Sequence, residues 1–152
     1  MTVELVRTEG DPLRNEGFPA LYAEVQRFYA RQMEILDTHD TGRWAETFTE
    51  DAVIELPSPA PPLAARSGLG RYVRAGAARR RAHGRLDHWV GMLDVRPRED
   101  GTLRTRCSAL VHAAPHGGGP PVLYVYAMED VLVRAPGTWR VAHRRVTRDD
   151  LA

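Results

Sequence analysis

The apolar pattern of this chain changes period once, at Gly84. Before that residue, apolar side chains recur at three- and four-residue steps. After it they fall into strand-length runs parted by turn residues. Helices gathered in the first half and strands in the second define an α+β chain, its helices packed on one face of a curved sheet. A sheet wrapped around a long helix leaves a conical cavity, which suits a small molecule. The 152 residues make one domain, large enough for a proper core.

Within the helical half, Leu21, Val25, Phe28 and Ile35 mark one face of a helix from Phe18 to about Leu36. Tyr22, Tyr29, Met33 and Leu36 widen that stripe. Asp40 or Thr41 caps a short second helix with Trp44, Ala45 and Phe48 inward, and Asp51 closes the turn after it. Val53, Ile54 and Leu56 then begin a short strand. Four prolines between Pro57 and Pro62 forbid regular structure. A third helix is expected from Ser67 to near Gly84, with Leu69, Tyr72 and Val73 inward. The strands Leu86–Val95, Leu103–Ala114, Val122–Arg134 and Thr138–Thr147 form an antiparallel meander. Residues 1–17 carry Gly10, Pro12 and Gly17 without a period and read as a flexible arm, leaving 18–152 as the domain.

Composition excludes several kinds of chemistry. The 21 basic residues, all arginine, nearly cancel 20 acidic ones, which argues against a general nucleic-acid binder. With no lysine, Schiff-base and P-loop chemistry are ruled out. Cys107 stands alone, so there is no intramolecular disulfide framework and no thiolate zinc site. The charged start MTVELVRTEG is no signal peptide, and no apolar run approaches a membrane span; a cytoplasmic protein is expected. His116-Gly-Gly-Gly lacks a nucleophile elbow and reads as a hairpin loop. His112 and His116 straddle Pro115 and do not make a metal pair. Arg71, Arg74, Arg79, Arg80, Arg81 and Arg85 make the third helix basic: a solvated face first, a surface for an acidic carrier protein second.

Three titratable residues stand in apolar surroundings. Asp37 follows Ile35 and Leu36, either dipping into the core or sitting exposed at the helix end. His88 shares strand parity with Val90 and Met92, while Trp89, Gly91 and Leu93 face the other way. Both faces being apolar, His88 is buried on either and needs a partner. Apolarity on both faces also predicts a second copy of the chain against the outer sheet face. His112 shares parity with Leu110 and Ala114, facing the same cavity or an exposed or dimer surface. Tyr124 and Tyr126 share one strand face, as plain core or as donors to a substrate oxygen. His143 and Arg144 read as an interface or surface ion pair.

The segments FYARQMEILDTHDTGRWAETFTEDAVIEL, LDHWVGML and GTWRVAHRRVTRDDL resemble the nuclear-transport-factor-2-like superfamily. Within it the chain looks like the SnoaL-like branch of polyketide cyclases and dehydratases, which is similar to scytalone dehydratase. The resemblance implies a conical α+β barrel with three N-terminal helices in the concave face of a strongly curved antiparallel or mixed sheet. It implies that Asp37 and His88 form the acid–base pair and that His112 is the second catalytic histidine. The dehydratase's tyrosine before the aspartate is Leu36 here, and Tyr124 or Tyr126 stands in for it. Trp44 and Met92 complete the expected substrate contacts, Met92 occupying a position where some relatives carry asparagine. The implied activity is a cofactor-independent dehydratase or cyclase, a lyase acting on an aromatic or polycyclic polyketide. A non-catalytic binding protein or structural subunit, like the β-subunit of ring-hydroxylating dioxygenases, is the alternative. So is an isomerase or epoxide-opening enzyme using the same pocket.

Overall fold

A computed structural model describes residues 17–148, without the side chains at positions 65, 67, 77 and 79–83. The arm expected over 1–17 therefore lies, but for Gly17, outside the described residues, as do the side chains of Arg79, Arg80 and Arg81. The elements follow in the order α1 (Phe18–Asp37), α2 (Thr41–Glu46), β1 (Phe48–Glu55), β2 (Leu63–Ala64), α3 (Ala65–His83), β3 (Gly84–Pro97), β4 (Leu103–Pro115), β5 (Val122–Ala135) and β6 (Thr138–Arg148). The six strands form one curved, mixed sheet in the order β2-β1-β6-β5-β4-β3. It is open: β2 and β3 are its edges. Only β1 and β6 pair in parallel. Helices before a curved sheet make the α+β cone that the resemblance implies.

Gly84 is where the path switches from helix to strand, and its backbone explains the residue. Its φ is +144°, and a Cβ there would lie 2.3 Å from the Ala114 carbonyl oxygen. No other residue fits. The second helix is shorter than its apolar pattern suggests. It stops at Glu46, Phe48 opens β1, and Asp51 sits inside that strand instead of closing a turn. The reason is tertiary: Phe48 is in register with Val141 of β6, whose amide donates to the Thr47 carbonyl at 2.9 Å. A strand almost a hundred residues away in sequence supplies the ladder that starts β1.

The core lies between α1 and the inner sheet face. Val25, Phe28, Tyr29, Met33 and Ile35 belong to one buried cluster with Val95, Leu103, Cys107, Met128 and Leu132. Each such side chain contributes about 1.5–3 kcal/mol through burial. Beneath it runs a buried polar network. Arg144 donates to both Asp130 carboxylate oxygens at 2.9 and 2.8 Å and to Gln32 Oε1 at 2.7 Å. Tyr29 donates its hydroxyl to Asp130 at 2.7 Å and lies 2.6 Å from the Thr105 hydroxyl. These bonds pin α1 to β4, β5 and β6. Arg144 is therefore no surface residue, correcting the sequence reading; only His143 is half-exposed, paired with Glu55 at 3.1 Å. Burial opposes the Arg144 charge, but Asp130 beside it raises the guanidinium above its ordinary value. Burial, then Asp130, likewise raises the Tyr29 phenol, and burial pushes the Cys107 thiol up to about 12, leaving it inert. No helix among the described residues is long and apolar enough to cross a membrane.

Candidate active site

Asp37 is the last residue of α1, and the chain reverses immediately after it. The amides of Thr38, His39 and Asp40 donate back to Glu34, Leu36 and Ile35 carbonyls, with His39 at φ +62°. Asp40 then caps α2 by accepting from the Arg43 amide at 3.1 Å. The reversal leaves a carboxylate at the negative end of a 20-residue helix, where the macrodipole disfavours it. What holds it there is His88. The imidazole Nδ1 lies 2.6 Å from Asp37 Oδ1, and the His88 amide donates to Oδ2 at 3.1 Å. That amide belongs to the free edge of β3, so the carboxylate satisfies an unpaired backbone group as well as orienting the ring. A local rule broken at a helix end was the sequence signal for this site, and one the apolar pattern alone did not use.

His88 separates two spaces. Outside it, a groove of about 1000 Å³ between α1 and β3 is lined by Asp37 and His88 together with Tyr22 and Trp89. Inside it, a largely apolar cavity of about 620 Å³ is bounded by Leu86, His88, Val111, Trp44, Tyr124 and Tyr126, among others. That volume suits a small organic ligand. Register explains the grouping: His88 pairs with Val111, and Val111 with Tyr124, so the three share the inner face. Tyr126 joins them one row along, opposite Ala109.

Two expected site residues stand outside the inner cavity: His112, and Met92, which lines the outer groove with Asp37 and His88. His112 pairs with Asp87 across the β3–β4 ladder, and paired residues share a face. Odd-numbered β4 residues therefore face the cavity with His88, and His112 faces out. There it stacks on Trp89, with ring centroids 6.5 Å apart, and its Nδ1 lies 3.9 Å from Asp87. Met92 is also turned out. Between Gly91 and Asp94 the strand carries one residue more than β4 opposite, a bulge that places Met92 at φ +52° and leaves it 88% exposed. The bulge inverts parity, so Leu93 and Val95 turn inward in its place. Two residues that the sequence reading did not assign to the site do line the cavity: Tyr72 of α3, expected only to face inward, and Arg148 of β6. Arg148 could have been found from its alternation with Val146 on the last strand. Among the described residues, no group of three His, Cys, Asp or Glu side chains is placed to hold a metal ion.

An open cone of helices and mixed sheet, with a histidine–carboxylate pair at the wall of an apolar cavity, defines this as a protein of the nuclear-transport-factor-2-like fold. A SnoaL-like domain model matches residues 20–145, and the chain belongs to that family. Among solved structures it is similar to Aln2 from a Streptomyces species, at 34% identity and a TM-score of 0.79 over 88% of this chain and 94% of that one. ActVI-ORFA from Streptomyces coelicolor is 30% identical, with a TM-score of 0.76 over 86% of this chain and 98% of that chain. A protein from Catenulispora acidiphila, solved in complex with S-DNPA, is 31% identical, with a TM-score of 0.76 over 88% and 96% of the respective chains. No curated protein matches the chain.

Proposed function

We propose that the protein is a cofactor-independent dehydratase or cyclase acting on an aromatic or polycyclic polyketide intermediate. The observation that carries this reading is the 2.6 Å contact of Asp37 with His88 at the cavity wall. A carboxylate only accepts, so Asp37 selects the tautomer with hydrogen on Nδ1 and leaves a lone pair on Nε2. Nε2 is then the general base that removes the proton α to a substrate carbonyl. Asp37 stabilises the imidazolium that results, and the ring returns its proton to the departing β-hydroxyl as water. In a cyclisation, the same enolate attacks a second carbonyl before water is lost. A phenol of Tyr124 or Tyr126 donates to the enolate oxygen. Membership of the SnoaL-like family and the small-molecule complex of a relative support a small-molecule substrate.

The test uses bicyclic aromatic β-hydroxyketones in deuterated water. Catalysed loss of the elements of water, growth of conjugated absorbance and, in recovered substrate, deuterium exchange at the α-carbon through reversible proton removal are the expected results. Rates no faster than buffer, with the ligand bound, would replace this reading with a binding protein.

Two partners belong to the same proposal. An acidic carrier would meet Arg71 and Arg74 on the exposed side of α3. A second copy would cover the outer sheet face, where Trp89, Leu110, Leu123 and Val125 lie together across β3, β4 and β5. Sedimentation at micromolar concentration is expected to give about twice the 17.0 kDa chain mass. A species at the mass of one chain would count against that interface.

A further inference from the structure

A third pocket, of about 190 Å³, lies where α1, the end of α2 and the start of β6 meet. It shares no lining residue with the cavity or the outer groove. Three arginines from three elements line it: Arg31, Arg43 and Arg140. Arg31 stands at helical spacing from Phe28 and Ile35 of α1, which line it too. Among the described residues, neither Arg31 nor Arg140 makes an ion pair. Arg43 has Asp40 at 4.0 Å, and Glu46 is the one acid in the lining, so positive charge is in excess. Trp139 also lines the pocket and is 3% exposed. Its indole N–H is buried and has no acceptor among the described residues. Arg134, held by Glu24 at 2.8 Å, lies 3.9 Å over the ring centre and fixes the indole in place. The Trp139 backbone supplies a further donor. The Val141 amide points towards α2 and donates to the Thr47 carbonyl, and alternation along β6 turns the Trp139 amide to the same side.

We propose that this pocket binds a small oxyanion of the phosphate class, held by the Trp139 indole N–H and the guanidinium groups of Arg31, Arg43 and Arg140. Planar guanidinium groups match phosphate oxygens through paired N–H donors. A buried donor left unpaired destabilises a fold, and an oxygen that accepts from it relieves that loss. The pocket holds about six times the ~30 Å³ share of one water in the liquid, which admits such an ion and excludes a ring system. Glu46 opposes the ion, but three cations outweigh it. An ion there ties α1, α2 and β6 together, so its binding raises the stability of the fold.

The experiment titrates inorganic phosphate into the intact protein at neutral pH, with ionic strength held constant by sodium chloride. A saturable rise in melting temperature and a Kd at or below about 1 mM are expected. In the nitrogen–proton magnetic resonance spectrum, the indole N–H signal that Trp139→Phe lacks should move with the same midpoint. Arg31→Gln combined with Arg140→Gln should weaken binding by about tenfold, two exposed charge pairs being lost, and leave the ion-free melting temperature unchanged. Trp139→Phe should weaken it by a similar factor through the missing donor. If that variant fails to fold, the arginine double variant decides the matter. Glycerol 2-phosphate is the second probe: binding as tight as that of phosphate assigns the pocket to phosphate monoesters, weaker binding to the free ion, and both support the site. No saturation below about 10 mM, a response that chloride reproduces at equal ionic strength, or undiminished binding by the arginine double variant would overturn the inference.

Discussion

Asp37→Asn is expected to lower turnover by about 10²- to 10⁴-fold, the range that positioned acid–base catalysis supplies. Asparagine keeps the shape of aspartate but brings two N–H donors to a site that needs two acceptors. The His88 amide claims one acceptor and the Nδ1 hydrogen the other. If the asparagine amide donates to Nδ1, the ring hydrogen moves to Nε2, and the base facing the substrate is lost. His88→Ala removes the base itself and should cost a similar factor. Because the two act as one unit, the double variant should be about as slow as the slower single one. All three should keep native circular dichroism, since neither residue belongs to the main core cluster. Losing a hydrogen bond to a charged group costs about 1.5–3 kcal/mol in stability, partly offset in Asp37→Asn by relief at the helix end. Steady-state kinetics decides: near-wild-type rates in both single variants would end the mechanism.

The largest stability effect is expected from Arg144→Met. The change strands the Asp130 carboxylate, whose side chain is 0% exposed, with the Tyr29 hydroxyl as its remaining side-chain donor among the described residues. Breaking one side of a buried ion pair costs about 3–5 kcal/mol. At roughly 2–4 °C per kcal/mol for a domain near this size, the melting temperature should fall by about 10 °C. The double variant Asp130→Leu with Arg144→Met should recover much of that loss, because no uncompensated charge remains. Urea denaturation of the wild type, of Arg144→Met and Asp130→Leu singly, and of the double variant measures the coupling directly. A single-variant loss under about 1 kcal/mol would mean that α1 is held to the sheet by apolar packing alone.

How much of this was legible in the sequence varies with the kind of question. Local periods placed α1, α3 and the four long strands within a few residues, since the spacing of apolar side chains is a property of the segment itself. The cap at Asp40 and the break at Gly84 were readable for the same reason: one is set by a single turn and the other by the missing Cβ. Resemblance, not period, singled out Asp37 and His88 as partners.

Which strand face meets which is decided only across the sheet. His88 and His112 share numerical parity, yet the pairing of His88 with Val111 puts them on opposite faces. A bulge of one residue sends Met92 outward and turns Leu93 and Val95 in. Arg144, read as a surface residue, is buried because Asp130 and Gln32 from two other elements meet it. Sequence by itself determined the long elements and the apolar strand around His88, because these depend on neighbours along the chain. Tertiary structure decided the cavity wall, since strand register and ion-pair partners are set by residues far apart in sequence, and a shift of one residue exchanges the faces.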